Sequence, residues 1–162
     1  MASKGLVVRL HIVGARETLA ALKALPADAS VELRDASRRI AQTMQGRIRS
    51  AAVAEGGQAA AVAKTVRARR DRLPVVVAGG TRRVGRHRTP AYRLLFGSEF
   101  GMNQRSGWYA RPRYASSVGR QYKPHRGRAS YWFFTTVDDS QAEMVTEWRR
   151  AADTVIRRFG DV

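Results

Sequence analysis

Leu6-Val7-Val8-Arg9-Leu10-His11-Ile12-Val13 alternates cleanly, placing Leu6, Val8, Leu10 and Ile12 on one face. A period of two marks a half-buried strand, with Arg9 and His11 turned the other way between Val7 and Val13. Gly14 ends it, and the period then changes. Glu17 to Leu25 reads as a short helix with Leu19, Leu22 and Leu25 inward. Pro26 breaks that helix, and Asp28 or Ser30 is placed to cap the next. In this longer helix Leu33, Ala36, Ile40, Met44, Ile48 and Ala52 recur on one stripe, to about residue 55. Glu32 and Asp35 lie early and Arg47 and Arg49 late, which suits the helix dipole. Gly56-Gly57 stops it.

Beyond that stop, Ala59 to Ala68 reads as a further short helix with a basic end at Lys64, Arg67, Arg69 and Arg70. Leu73 to Ala78 is a Val-rich strand with Pro74 near its start, where a missing donor is tolerated. Gly79-Gly80 turns the chain. Near the C-terminus, Ser140-Gln141-Ala142-Glu143 has capping-box spacing. It opens a helix whose stripe is Val145, Trp148, Ala152, Val155 or Ile156, and Phe159. Asp153 and Arg157 can pair along it, and Gly160 supplies the stop. Tyr131-Trp132-Phe133-Phe134 just before it reads as a core plug or buried strand. The implied class is α+β: one domain over 1–162, a small, mainly antiparallel sheet packed by a long central helix and a C-terminal helix. A long, basic, irregular arm occupies 81–130.

The charge is the anomaly. Among 162 residues, 30 Lys and Arg face 13 acids for a net +17, and 26 of the 30 are Arg. Residues 81–128 hold 12 basic residues and one acid, Glu99, with six of the 14 glycines and three of the five prolines. From Gly101 to Gly127 neither period is visible. So long an irregular stretch is expected to be functional or to order on a partner. There is no cysteine, which excludes disulfides, thiolate zinc sites and thiol nucleophiles. No run approaches the ~18 apolar residues of a membrane span, and Arg9 and His11 spoil the first run as a signal-peptide core. The chain reads as intracellular, soluble and bound to something negative.

Catalytic chemistry is hard to assemble from these residues. Gly80-Thr81-Arg82-Arg83-Val84-Gly85-Arg86-His87 has the look of a phosphate loop but lacks its lysine and the following Ser or Thr. In Gly97-Ser98-Glu99-Phe100-Gly101 the serine comes one place too early for a nucleophile elbow. His11, His87 and His125 are scattered, without the spacing of metal ligands. Asp138-Asp139 sits where helix caps sit. The expectation is no enzyme, no catalytic residue, no cofactor and no metal. Three readings remain. One is direct nucleic-acid binding, with Arg interleaved among Trp108, Tyr109, Tyr114 and Tyr122 but no recognised reading motif. The others are a solvated basic surface, and an assembly subunit whose arm docks on acidic neighbours or faces packaged DNA.

In order along the chain, the sequence resembles the phage tail-completion or head–tail joining (neck) family, of the lambda minor tail protein Z type. The matching pieces are the early strand, Leu19–Leu25 with Pro26, the Arg/Ala-rich helix, and Val75-Val76-Val77-Ala78-Gly79-Gly80. Ala91-Tyr92 leading to Glu99-Phe100-Gly101 follows, then Tyr131-Trp132-Phe133-Phe134 and a helix containing Trp148. The departure is Met102 to Arg128, longer and more arginine-rich than the family pattern. The resemblance implies a non-catalytic virion protein at the head–tail junction, forming a homo-oligomeric ring around the DNA channel. It implies a hexamer first and a dodecamer as the alternative. Neighbouring connector, stopper and tail proteins and packaged double-stranded DNA are the implied partners, with no membrane and host cytoplasm during assembly. Arg82, Arg83, Arg86 and Arg88, near the Gly-Gly turn, are the expected DNA-facing residues. Trp108, Tyr109, Arg111, Arg113, Tyr114, Arg120 and Tyr122 are the expected interface anchors, since aromatics and Arg dominate hot spots. The alternative is a basic protein that binds nucleic-acid phosphates without sequence specificity.

Overall fold

In the computed structural model, which describes residues 5–100 and 132–160, the two apolar stripes become the two long helices. The elements run β1 (Gly5–Arg9), α1 (Ala15–Lys23), α2 (Ala27–Glu55), α3 (Gly57–Ala63), β2 (Arg67–Arg69) and β3 (Val75–Gly79). After these come β4 (Arg83–Val84), β5 (Thr89–Pro90), α4 (Ala91–Phe100) and α5 (Phe133–Gly160). The class is α+β, with a three-stranded sheet of order β1-β3-β2 and a two-stranded β4-β5 ladder. The chain packs as two units. The first takes Met1–Leu6, Ile48–Val66 and Ala78–Val137; the second takes Val7–Arg47, Arg67–Val77 and Asp138–Val162.

Within the second unit, the alternation after Gly5 holds: Leu10 and Ile12 are buried while Arg9, His11 and Val13 are exposed. The ladder itself ends at Arg9, and Leu10 donates its N–H to the Pro74 carbonyl at 3.4 Å. The α2 stripe is buried at every predicted position of this unit, Leu33, Ala36, Ile40 and Met44. Trp148 on α5 is 1% exposed, and its indole N–H is shared between Ser37 Oγ at 3.1 Å and the Arg72 carbonyl at 2.9 Å. A buried tryptophan needs that polar handle satisfied. Ser37 itself donates to the same carbonyl at 2.8 Å, so three segments meet on one acceptor.

Several expected boundaries are corrected. Arg67-Ala68-Arg69 does not extend a helix. It is strand β2, antiparallel to β3 with Arg67 opposite Val77 and Arg69 opposite Val75. Gln45 Oε1 accepts the Ala68 N–H at 2.6 Å, so a side chain from α2 satisfies a donor of this strand. Helix α2 starts at Ala27, directly after Pro26, leaving Asp28 in its first turn rather than at its cap. Gly57 opens α3 instead of prolonging the stop. Ser140 caps nothing: it lies inside α5, buried, and accepts from Arg47 Nη1 at 3.3 Å. Asp138 and Asp139 are likewise exposed positions within α5 rather than caps.

In the first unit α3 packs on α4, with Ala59, Val62, Leu94 and Leu95 buried. Gly79 has φ +83, and a Cβ there would lie 3.2 Å from the Tyr92 backbone and from Leu95 Cδ2. Only glycine combines that left-handed turn with so close an approach. Thr65 Oγ1 accepts the Gly79 N–H at 3.0 Å and donates to the Val62 carbonyl at 2.7 Å, tying the end of α3 to β3. The Arg49 guanidinium holds the Val66 carbonyl through Nε at 3.1 Å and Nη2 at 2.8 Å.

Candidate functional site

The charge is divided unevenly between the units. Each contains 15 of the 30 basic residues, but the second has 11 acids and the first has two, Glu55 and Glu99. Ion pairs in the second unit answer its arginines: Arg47 with Glu143 at 2.7 Å, Arg70 with Asp35 at 2.6 Å, Arg158 with Glu32 at 3.0 Å and Arg9 with Asp71 at 3.7 Å. Hydrogen bonding to Arg70 holds the Asp35 carboxyl below the usual carboxylate range, with further pull from Arg39 and Arg38. Glu143 is lowered in the same way by Arg47.

Among the described residues of the first unit, four arginines sit on one β-hairpin. Arg83 pairs with Pro90 and Val84 with Thr89, leaving Gly85-Arg86-His87-Arg88 as the connecting loop. Gly85 takes φ +74 and Arg88 φ +49, and the Arg88 N–H closes on the Gly85 carbonyl at 3.1 Å. Across the ladder, Arg83 Nη1 donates to the Arg88 carbonyl at 3.1 Å. The base is fixed by Ala91 N–H to the Arg82 carbonyl at 2.8 Å and Tyr92 N–H to the Gly80 carbonyl at 3.0 Å. Val84 is buried; Arg82, Arg83, Arg86, His87 and Arg88 are all exposed. The four expected DNA-facing arginines therefore share one small element, together with His87. The hairpin also replaces any strand–loop–helix phosphate cradle at 80–87.

Glu99 is the second feature. It is 1% exposed, and its carboxylate accepts three backbone N–H groups at the start of α5: Phe133 at 2.9 Å, Phe134 at 3.0 Å and Trp132 at 3.3 Å. Beside it, the Trp132 indole donates to Ser98 Oγ at 3.1 Å. A helix leaves its first four N–H groups without intrahelical partners, and an acidic side chain near them is favourable. Here the acceptor comes from α4. Phe133 and Phe134 are consequently the first turn of α5, not a strand, and their rings stack edge to face at 5.4 Å.

Sequence reasoning singled out Glu99 as the one acid of residues 81–128 and within the Glu-Phe-Gly triplet, and it could not have shown what the carboxylate caps. It named His87 only as an isolated histidine and the end of a false phosphate loop, and it missed the hairpin, because strands of two residues carry no period, and α4. The expected interface residues Trp108, Tyr109, Arg111, Arg113, Tyr114, Arg120 and Tyr122 lie outside the described residues. Comparison with protein-family models, curated proteins and solved structures finds no match to this chain. Among the described residues no group of three His, Cys, Asp or Glu could hold a metal ion, and no helix is long and apolar enough to cross a membrane. An open cleft of about 190 Å³ in the second unit is lined by Leu19, Leu22, Leu25, Pro26, Leu33 and Arg72 among others. Lys23 and Ser30 join Arg72 as its polar lining beside the apolar walls.

Proposed function

We propose that this chain is a structural subunit of a tailed-phage particle, forming a ring at the head–tail interface around the DNA channel. The observation that carries the reading is the Glu99 junction. Two pieces of sequence that bear the family resemblance, Glu99-Phe100-Gly101 and Tyr131-Trp132-Phe133-Phe134, are joined by a buried carboxylate. Glu99 has a structural task that occupies both of its oxygens, which leaves it unsuited to acid–base chemistry. The same junction joins Glu99 to Trp132 and Phe133, on either side of the 31-residue stretch 101–131, which carries seven basic residues and no acid. A segment of that composition, flanked by that junction, suits docking on acidic neighbours, where arginine forks bind carboxylates bidentately.

The test is assembly. The purified chain, mixed with its connector and tail neighbours, is expected to enter a closed ring of six or twelve copies by native mass spectrometry. Charge reversal of Arg111, Arg113 and Arg120 to Glu is expected to block head–tail joining while circular dichroism stays native. A chain that stays monomeric beside its neighbours, or a triple variant that joins normally, defeats the reading. Duplex binding by a chain that stays monomeric even beside its neighbours would instead favour the nucleic-acid-binding alternative, whereas duplex binding by a chain that also assembles would not.

A further inference from the structure

We propose that the β4–β5 hairpin is a contact element for the phosphate backbone of duplex nucleic acid, gripping it through Arg82, Arg83, Arg86 and Arg88. The inference does not depend on ring formation. A monomer would show it as well as an assembled particle.

Three observations carry it. The first is exposed charge on a fixed backbone. The four guanidinia leave a hairpin whose ladder, loop closure and base are all hydrogen-bonded, so the backbone that carries them need not be ordered on binding. Among the described residues none of the four is in an ion pair, and Glu99 is buried and occupied by α5. Arg83 uses one N–H on the Arg88 carbonyl, and a guanidinium has five.

The second is backbone strain at Arg88. Every other described residue with positive φ is glycine: Gly14, Gly56, Gly57, Gly79, Gly80 and Gly85. Arg88 alone adopts φ +49 with a side chain, although glycine would hold that turn at lower conformational cost. A guanidinium kept where folding disfavours a side chain points to a task outside the fold.

The third is what the hairpin lacks. From Thr81 to Thr89 its one apolar side chain, Val84, is buried, and no aromatic residue occurs. Protein interfaces centre on apolar and aromatic anchors, with charges depleted at their core. Single strands are held by aromatic stacking platforms. Neither is offered. Closely set guanidinia match the repeating phosphates of a duplex, where contacts position the partner without reading its sequence.

The experiment uses the full chain and a labelled mixed-sequence duplex of about 20 base pairs, with anisotropy titrations from about 50 to 200 mM salt. The variant is Arg86→Ala with Arg88→Gly: no intramolecular bond of the Arg86 side chain is described, and glycine suits the Arg88 turn. Each phosphate contact contributes about 0.9 to the slope of log K against log salt, so the pair should make the slope shallower by about 1.8. In about 0.1 M salt that corresponds to roughly 60-fold weaker binding, with a shuffled duplex behaving identically. The thermal midpoint is expected to hold or rise, separating binding from folding. If it falls, Arg86→Ala alone should still change the slope by about 0.9. A wild-type chain that does not bind duplex, or a variant with unchanged slope and affinity, overturns the proposal. So does a variant that loses binding to polyglutamate but keeps binding to DNA, since the hairpin would then serve an acidic protein.

Discussion

Replacing Glu99 with Ala removes the acceptor for the first N–H groups of α5 without touching any residue of that helix. Trp132 and Phe133 are buried, so water cannot easily replace the lost partner there, whereas Phe134 is half-buried and partly open to solvent. Each buried donor left unsatisfied costs about 1–3 kcal/mol. Two such donors give about 4 kcal/mol, a large share of the ~5–15 kcal/mol by which a domain is stable. Both buried donors share Oε2, so Glu99→Gln can keep them with its amide oxygen and leave only the half-buried Phe134 N–H unpaired, a smaller cost of about 1–3 kcal/mol. Urea denaturation followed by tryptophan fluorescence measures both, and hydrogen exchange reads the amides of residues 132–134 individually. The expected order is wild type, then Gln, then Ala, with protection lost first at those three amides. An Ala variant within about 0.5 kcal/mol of wild type, with the amides still protected, would refute the capping role.

Two further outcomes are expected. Gly46 lies exposed within α2 with nothing inside 4 Å of where a Cβ would stand, so Gly46→Ala should stabilise by about 0.5–1 kcal/mol in thermal melts; a lower midpoint would mean that the helix surface there is not free. The Glu143 carboxyl is held low by its Arg47 hydrogen bonds, so its folded-state pKa lies below its unfolded value. The stability it confers is complete above the unfolded value and is lost as pH falls through the folded one. Glu143→Gln should flatten the acid limb of a stability–pH profile and lower neutral stability by the same amount, a small one since both partners are exposed. An acid limb identical to wild type would remove this pair from the account.

Long periodic segments were legible in the sequence. The α2 stripe is buried at all six expected positions, and in α5 Trp148, Ala152 and Val155 are buried as read, with Met144 taking the place expected of Val145. What escaped reading depended on distant partners. The start of α5 looked like Ser140 because a local capping box is there, but Glu99 satisfies the helix seven residues earlier from another element. Strand β2 is three residues of Arg-Ala-Arg, too short for a period and set directly after a real helix, so it read as that helix's basic end. The four hairpin arginines were found as a charge cluster, and only their backbone geometry shows that they share one hairpin.

Arginine's dominance over lysine has two separable origins in the described structure. Some arginines do structural work that depends on a planar fork. Arg47 binds Glu143 through two nitrogens at 2.7 and 2.8 Å, and Arg49 holds the Val66 carbonyl through two. Lysine's single ammonium cannot reproduce either geometry. These residues lie in the stretch before residue 81, whose net charge is +8, so that charge overstates what a partner meets there. On the hairpin the balance is reversed, since apart from the Arg83 bond no structural task for its guanidinia is described. Net charge per segment would rank 1–80 and 81–128 as two shades of one basic surface. Partner by partner, the first mixes arginines with structural partners, Arg9, Arg47, Arg49 and Arg70, with Arg38, Arg39, Lys64, Arg67 and Arg69, which are exposed. The second carries, on its hairpin, exposed charge on a fixed backbone frame, and exposed charge is what a polyanion would meet.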